Sequence, residues 1–282
     1  MSKKERPVVV IRLNIGNTWD EALLHGVPRI LEEFGGNVIV AELYGSVAGD
    51  PIGSARPDFR LPAKTSRELE LFISNAHDAG LQINYTANLS CIGDIAGFME
   101  RLPSIRRYLV YLESLGVDRI TVAHPLLMDA VSNETAMPIE ISTICGVETL
   151  SEISVYTKSF RVDKICMDIY RNRDVGFLRD SQAVAASASA DVELIVNEFC
   201  TTFGSPCIYR RGCFDLHAHG GNRDKLAGNY PMGICVASRH EVAHWLRAKF
   251  ILPEDVAAYH DKTGIRCFKV TGRTHPTSKL LA

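Results

Sequence analysis

QINYTANLSCIGDIAGFMERLPSIRRYLVYLESLGVDRITVA, residues 82–123, contains a complete strand–helix–strand unit. Gln82–Ala87 and Arg119–Ala123 are short β-branched and apolar runs. Between them Leu109, Val110, Leu112 and Leu115 form a helical apolar stripe that ends at Gly116, a residue suited to a helix stop. The same order recurs outward in both directions. Further strands are read at Val8–Asn14, Asn37–Leu43, Pro138–Ser142, Lys164–Ile169, Val192–Asn197 and Cys267–Thr271, with apolar residues taken to dominate both faces as in buried parallel strands. A helix starts at Thr65-Ser66, continues through Leu69, Phe72, Ile73 and Ala76, and stops at Gly80. Eight such strands close a (β/α)8 TIM-type barrel.

The 282 residues, 46% hydrophobic and 23% charged, suffice for one large core. No linker, repeat or compositional break divides them, and the short Ala/Ser run 183–190 reads as a closely packed helix. The expectation is a single barrel domain over 1–282. A formal net charge of −2 gives no general pull toward nucleic acid or anionic membrane. The apolar run after the basic N-terminus is short and interrupted by Arg12, so neither a signal peptide nor a span is expected. Eight cysteines without a secretion signal then indicate a reducing, cytoplasmic setting and local metal binding rather than disulfides.

One stretch breaks the alternation. After strand seven a Cys-, Gly- and His-rich insert begins, and Cys200, Cys207 and Cys213 stand with six and then five residues between them, Cys235 following after twenty-one more. Residues 200–235 are therefore read as a cluster-binding segment in which Gly204, Gly212 and Gly233 supply backbone freedom. Four thiolates suit a 4Fe-4S cluster or a structural zinc. Zinc sites usually pair cysteines two to four residues apart, so the wider spacing leans toward iron–sulfur. Cys145, Cys166 and Cys267 lie in or beside strands and, with Cys91, read as packing residues.

These features resemble the collagenase-like U-thirty-two (U32) peptidase family over most of the chain. The resemblance is carried by Glu42-Leu43-Tyr44-Gly45, Ala76-His77, Ile141-Ser142-Thr143, Glu198-Phe199-Cys200 through Cys207, Gly233-Ile234-Cys235, Ile251-Leu252-Pro253-Glu254-Asp255, and Lys269-Val270-Thr271-Gly272-Arg273. It implies an iron–sulfur barrel protein with oxygen-independent hydroxylation or related redox chemistry, on a small molecule or an RNA base, in some cases as a heterodimer. Cys200, Cys207 and Cys235 match the family's ligands. Cys213 does not, and is read as replacing a later fourth ligand absent near Asp255. Thr271 stands where the family has Glu, and Tyr170-Arg171-Asn172 replaces an Arg-Glu pair.

Polar residues at strand C-termini are the natural lining of a barrel site. By this reading they are Asn14, Glu42, Tyr44, Asn88, His124, Ser142, Asp168, Arg171, Asn197, Glu198, Lys269 and Arg273. Of these Glu42, Tyr44, His124, Asp168, Glu198, Lys269 and Arg273 are the catalytic candidates: Glu42, Glu198 and His124 for acid–base work, Lys269 and Arg273 to clamp a carboxylate or phosphate. His217 and His219 are candidate neighbours of the cluster or solvated loop residues. His240-Glu241-Val242-Ala243-His244 matches the zinc metallopeptidase motif without the Gly-His extension of metzincins. Two alternatives therefore accompany the redox reading: a zinc peptidase at His240, Glu241 and His244, and a non-catalytic cluster-bearing subunit. Only nine residues follow Arg273, short of an eighth helix, which predicts a homodimer or partner subunit with Leu280 and Leu281 near the contact.

Overall fold

The computed structural model describes residues 10–34, 36–198, 240 and 242–281. Its centre is a closed, all-parallel barrel in chain order: β1 Ile11–Gly16, β2 Val38–Gly45, β3 Gln82–Ala87, β4 Arg119–Val122, β5 Ile139–Ile141, β6 Val162–Cys166, β7 Asp191–Ile195 and β8 Cys267–Val270, with β8 pairing back onto β1. All eight sequence-read strands are present, offset at their ends by a few residues. The helices are α1 Glu21–Phe34, α2 Ser66–Asp78, α3 Ile95–Ser114, α4 Pro125–Glu134, α5 Leu150–Ser159, α6 Val175–Ser187, α7 Val242–Arg247, α8 Val256–Thr263 and α9 Thr277–Leu280.

Local chemistry sets the helix starts. Thr65 caps α2 and Thr149 caps α5, each in a reciprocal box with the Glu three residues on, Glu68 and Glu152. Buried Leu69, Phe72, Ile73 and Ala76 form the inner stripe of α2, and Gly80 leaves it at φ +75°. In α6 small Ser181 and Ala185 lie buried with Leu178, so α5 and α8 approach closely.

The hydrophobic core is the ring between sheet and helices. Leu43, Ile83, Ile120, Ile139, Ile165, Val192 and Phe268 point outward from their strands and are fully buried there. The other strand face is polar, so the expectation that apolar residues fill both faces holds for one face only. Asn14, Glu42, Asn84, Thr121, Glu140, Lys164, Glu193 and Lys269, one residue from each strand, are buried within the barrel. Barrels of this kind usually fill that space with branched apolar side chains.

The segment after β8 packs against α1. Leu280 and Leu281 pack against the core, Leu281 over Gly26 of α1, while Thr277 Oγ1 donates to Asp20 at 2.5 Å. Leu280 and Leu281, the residues expected near a partner contact, remain partly exposed. Among the described residues no helix is long and apolar enough to cross a membrane.

Candidate functional site

The polar barrel interior is an ordered charge network. Three carboxylates, Glu42, Glu140 and Glu193, meet three cations, Lys164, Lys269 and Arg119. Lys164 Nζ lies 2.9 Å from both Glu42 oxygens and 3.6 Å from Glu140 and Glu193. Lys269 donates to Glu193 at 2.8 Å and to Glu140, and Arg119 reaches both Glu42 and Asp163. Asn84 donates to Glu42 at 2.9 Å and to Glu140 at 2.6 Å, while its own oxygen accepts from Thr121 at 2.8 Å. Asn14 donates to Glu193. Buried charges persist only when paired and hydrogen-bonded in this way.

The three carboxylates do not share the field equally. Burial opposes ionisation of all three, but Lys164 and Arg119 hold Glu42 below the ordinary carboxylate range, and Lys269 and Lys164 do the same for Glu193. For Glu140, burial and the charge of Glu193 outweigh the lysines, pushing it up to about 7. Lys269 is the reverse case: burial works against its charge, yet Glu140 and Glu193 keep it firmly protonated.

Above this network, at the C-terminal ends of the strands, opens a cavity of about 140 Å³. Tyr44, Glu140, Cys166, Glu198, Lys269 and Arg273 line it, with Arg56 from the loop after β2. Lys269 Nζ lies 4.3 Å from the Tyr44 ring centroid, and the Tyr44 hydroxyl donates to the Val270 carbonyl at 3.0 Å. Of the strand-end residues read from the sequence, Tyr44, Asn88, Ser142, Glu198, Lys269 and Arg273 are brought together here. Glu42 is sealed beneath, His124 caps α4 by accepting from the Leu126 amide, and Asp168 caps the 3-10 turn at Ile169–Arg171. Glu140, Cys166 and Arg56 were not among the candidates. The first had a signal: a single Glu inside the apolar run Ile139-Glu140-Ile141 must face either the core or the lumen.

Cys166 is 1% exposed, and burial, then Glu193, push its thiol well up. With Glu140 and Glu193 it offers three ligand atoms within 4.8 Å of one another. Lys269 already binds both of those carboxylates, so an ammonium supplies the positive charge a metal would bring. Cys91, Cys145 and Cys267 form no such group among the described residues. Cys200, Cys207, Cys213 and Cys235, with His217, His219 and Glu241, lie outside the described residues. On the N-terminal side of that segment Glu198 lines the cavity; further along the chain, Ile251 N donates to Val196 O just after β7 at 2.9 Å and Lys249 O accepts from Asn172 at 2.8 Å. His244 sits in α7 and His240 in the turn before it.

The barrel resembles that of a solved U32 peptidase. The chain aligns with the structure of the U32 peptidase Mk0906 over 98% of both chains at a TM-score of 0.61 and 18% identity, which establishes a shared fold. A putative dehydratase from Mesorhizobium loti is 15% identical over 70% of this chain and 50% of its own, with TM-score 0.42. A putative mandelate racemase/muconate lactonizing enzyme from Labrenzia alexandrii is 13% identical over 67% and 49%, also at 0.42. No protein-family model matches the sequence, and no curated protein does.

Proposed function

We propose that this chain is a U32-like barrel enzyme whose reaction takes place in the mouth cavity, with a 4Fe-4S cluster held by Cys200, Cys207, Cys213 and Cys235 beside it. The observation that supports this reading is that Glu198, two residues before Cys200, lines a cavity that also holds an acid–base group, Glu140. When bound, such a cluster supplies redox chemistry, here assigned to an oxygen-insertion or hydroxylase-like reaction on a small molecule or an RNA base. The setting is a reducing cytoplasm, and a second subunit, identical or different, would dock with Leu280 and Leu281 near the contact.

The chain's own residues have separable tasks. Glu140 faces the cavity and titrates near 7, so it can hold a proton at rest and release it during a reaction. Lys269 neutralises it when ionised and stays fixed by Glu193. Glu42, Lys164 and Arg119 lie below and keep that pair in place without reaching the cavity. The peptidase reading at His240 and His244 has no third ligand among the described residues. Anaerobic purification with iron and sulfide quantitation tests the proposal: about four irons with matching sulfide per chain is expected for one cubane. A metal-free protein, or one carrying a single zinc, would overturn it.

A further inference from the structure

Among the described residues, the cations deep in the barrel are matched to carboxylates. Lys164, Lys269 and Arg119 each contact at least one. Arg273, 7% exposed, instead donates to two neutral acceptors, Ser46 Oγ at 2.8 Å and Asn88 Oδ1 at 3.4 Å. Among the described residues no carboxylate lies within 4.0 Å of it. Half-buried Arg56 lines the same cavity, has its Nη1 on the Ala55 carbonyl at 3.0 Å, and likewise meets no carboxylate among the described residues.

An unmatched buried guanidinium costs several kcal/mol of desolvation, and a guanidinium presents five donors, of which two neutral acceptors use few. The position is nonetheless firmly built. Trp19, in the left-handed region at φ +56°, donates its indole N–H to the Ser46 carbonyl at 3.2 Å, which holds the residue that receives Arg273. A Cβ at Gly16 would stand 2.5 Å from the Arg273 nitrogen, so the tip of β1 has been kept bare where that backbone passes. Burial, then the repulsion of Arg56, weaken Arg273's hold on its proton, and the more distant Asp50 offsets this only in part.

We propose that Arg273 and Arg56 form an oxyanion subsite, so that the substrate carries a carboxylate or phosphate group that docks there while its reacting part faces Glu140. This rests on the mouth cavity being the substrate site. Lys269, the other cation of the cavity, already binds the carboxylates of Glu140 and Glu193. A planar carboxylate and a phosphate both fit the forked donor set.

Isothermal titration of the full chain with inorganic phosphate and, separately, with acetate tests this without turnover or knowledge of the substrate. Saturable binding of at least one anion to the wild type is expected, with affinity reduced about tenfold or more in Arg273→Gln. Arg56→Gln, nearer the surface, gives the same readout should Arg273→Gln fail to fold. The tighter anion identifies the group. Absence of binding by both anions, or binding unchanged in the variants that fold, would overturn the subsite. Iron content, measured on the same samples, reports separately on the cluster.

Discussion

Lys269 Nζ and Glu193 Oε2 meet at 2.8 Å inside the barrel, and the same ammonium also binds Glu140. Lys269→Met would leave both carboxylates without that countercharge. Breaking a buried pair from one side typically costs about 3–5 kcal/mol, and urea unfolding of the variant should show a loss of that order. A loss below about 1 kcal/mol, within the range of surface pairs, would contradict the network as drawn.

The titration of Glu140 gives stability a specific pH dependence. Its pKa in the folded chain is near 7 against an ordinary 4.5, so the native state holds that proton more tightly than the unfolded chain. The resulting stabilisation is complete below about 4.5 and disappears as pH rises through about 7. Glu42 and Glu193, lowered in the fold, act oppositely: their contribution is present above the ordinary value and lost as pH falls. Glu140→Gln should therefore flatten the decline in melting temperature between pH 5 and 7.5 relative to the wild type. Parallel curves would place the elevated titration elsewhere.

Gly16→Ala tests the close approach that seats Arg273. The added methyl has backbone opposite it and no flexible side chain to displace, so a destabilisation of about 1–3 kcal/mol is expected from overpacking. Weakened anion binding should accompany it. Full stability with unchanged binding would mean that β1 and Arg273 separate without cost.

The strands were legible because outward-facing residues such as Ile83, Ile120 and Phe268 must be apolar wherever helices cover a sheet. The lumen was harder to read. In Ile139-Glu140-Ile141 and Phe268-Lys269-Val270 one charge is hidden among apolar neighbours, and strand periodicity does not say whether it faces water or a countercharge several strands away. Tyr44, Lys269 and Arg273 were found because they end strands; Cys166 was passed over because a thiol between apolar residues looks like packing. Glu42, by contrast, has its partners on β4 and β6, a pairing visible only after the barrel closes.

His240→Ala and His244→Ala are expected to leave the metal content unchanged, because neither histidine joins a ligand trio among the described residues. Elemental analysis checks this. Loss of stoichiometric zinc from both variants, with proteolysis by the wild type, would favour the peptidase.

Eight single Cys→Ser variants, isolated anaerobically and assayed for iron and sulfide, test the central claim most directly. Replacement of Cys200, Cys207, Cys213 or Cys235 should remove or sharply reduce iron, while replacement of Cys91, Cys145, Cys166 or Cys267 should leave about four irons per chain. Retention of full iron in the first set, or its loss on changing Cys166, would contradict the assignment and direct attention to the Glu140–Cys166–Glu193 trio instead.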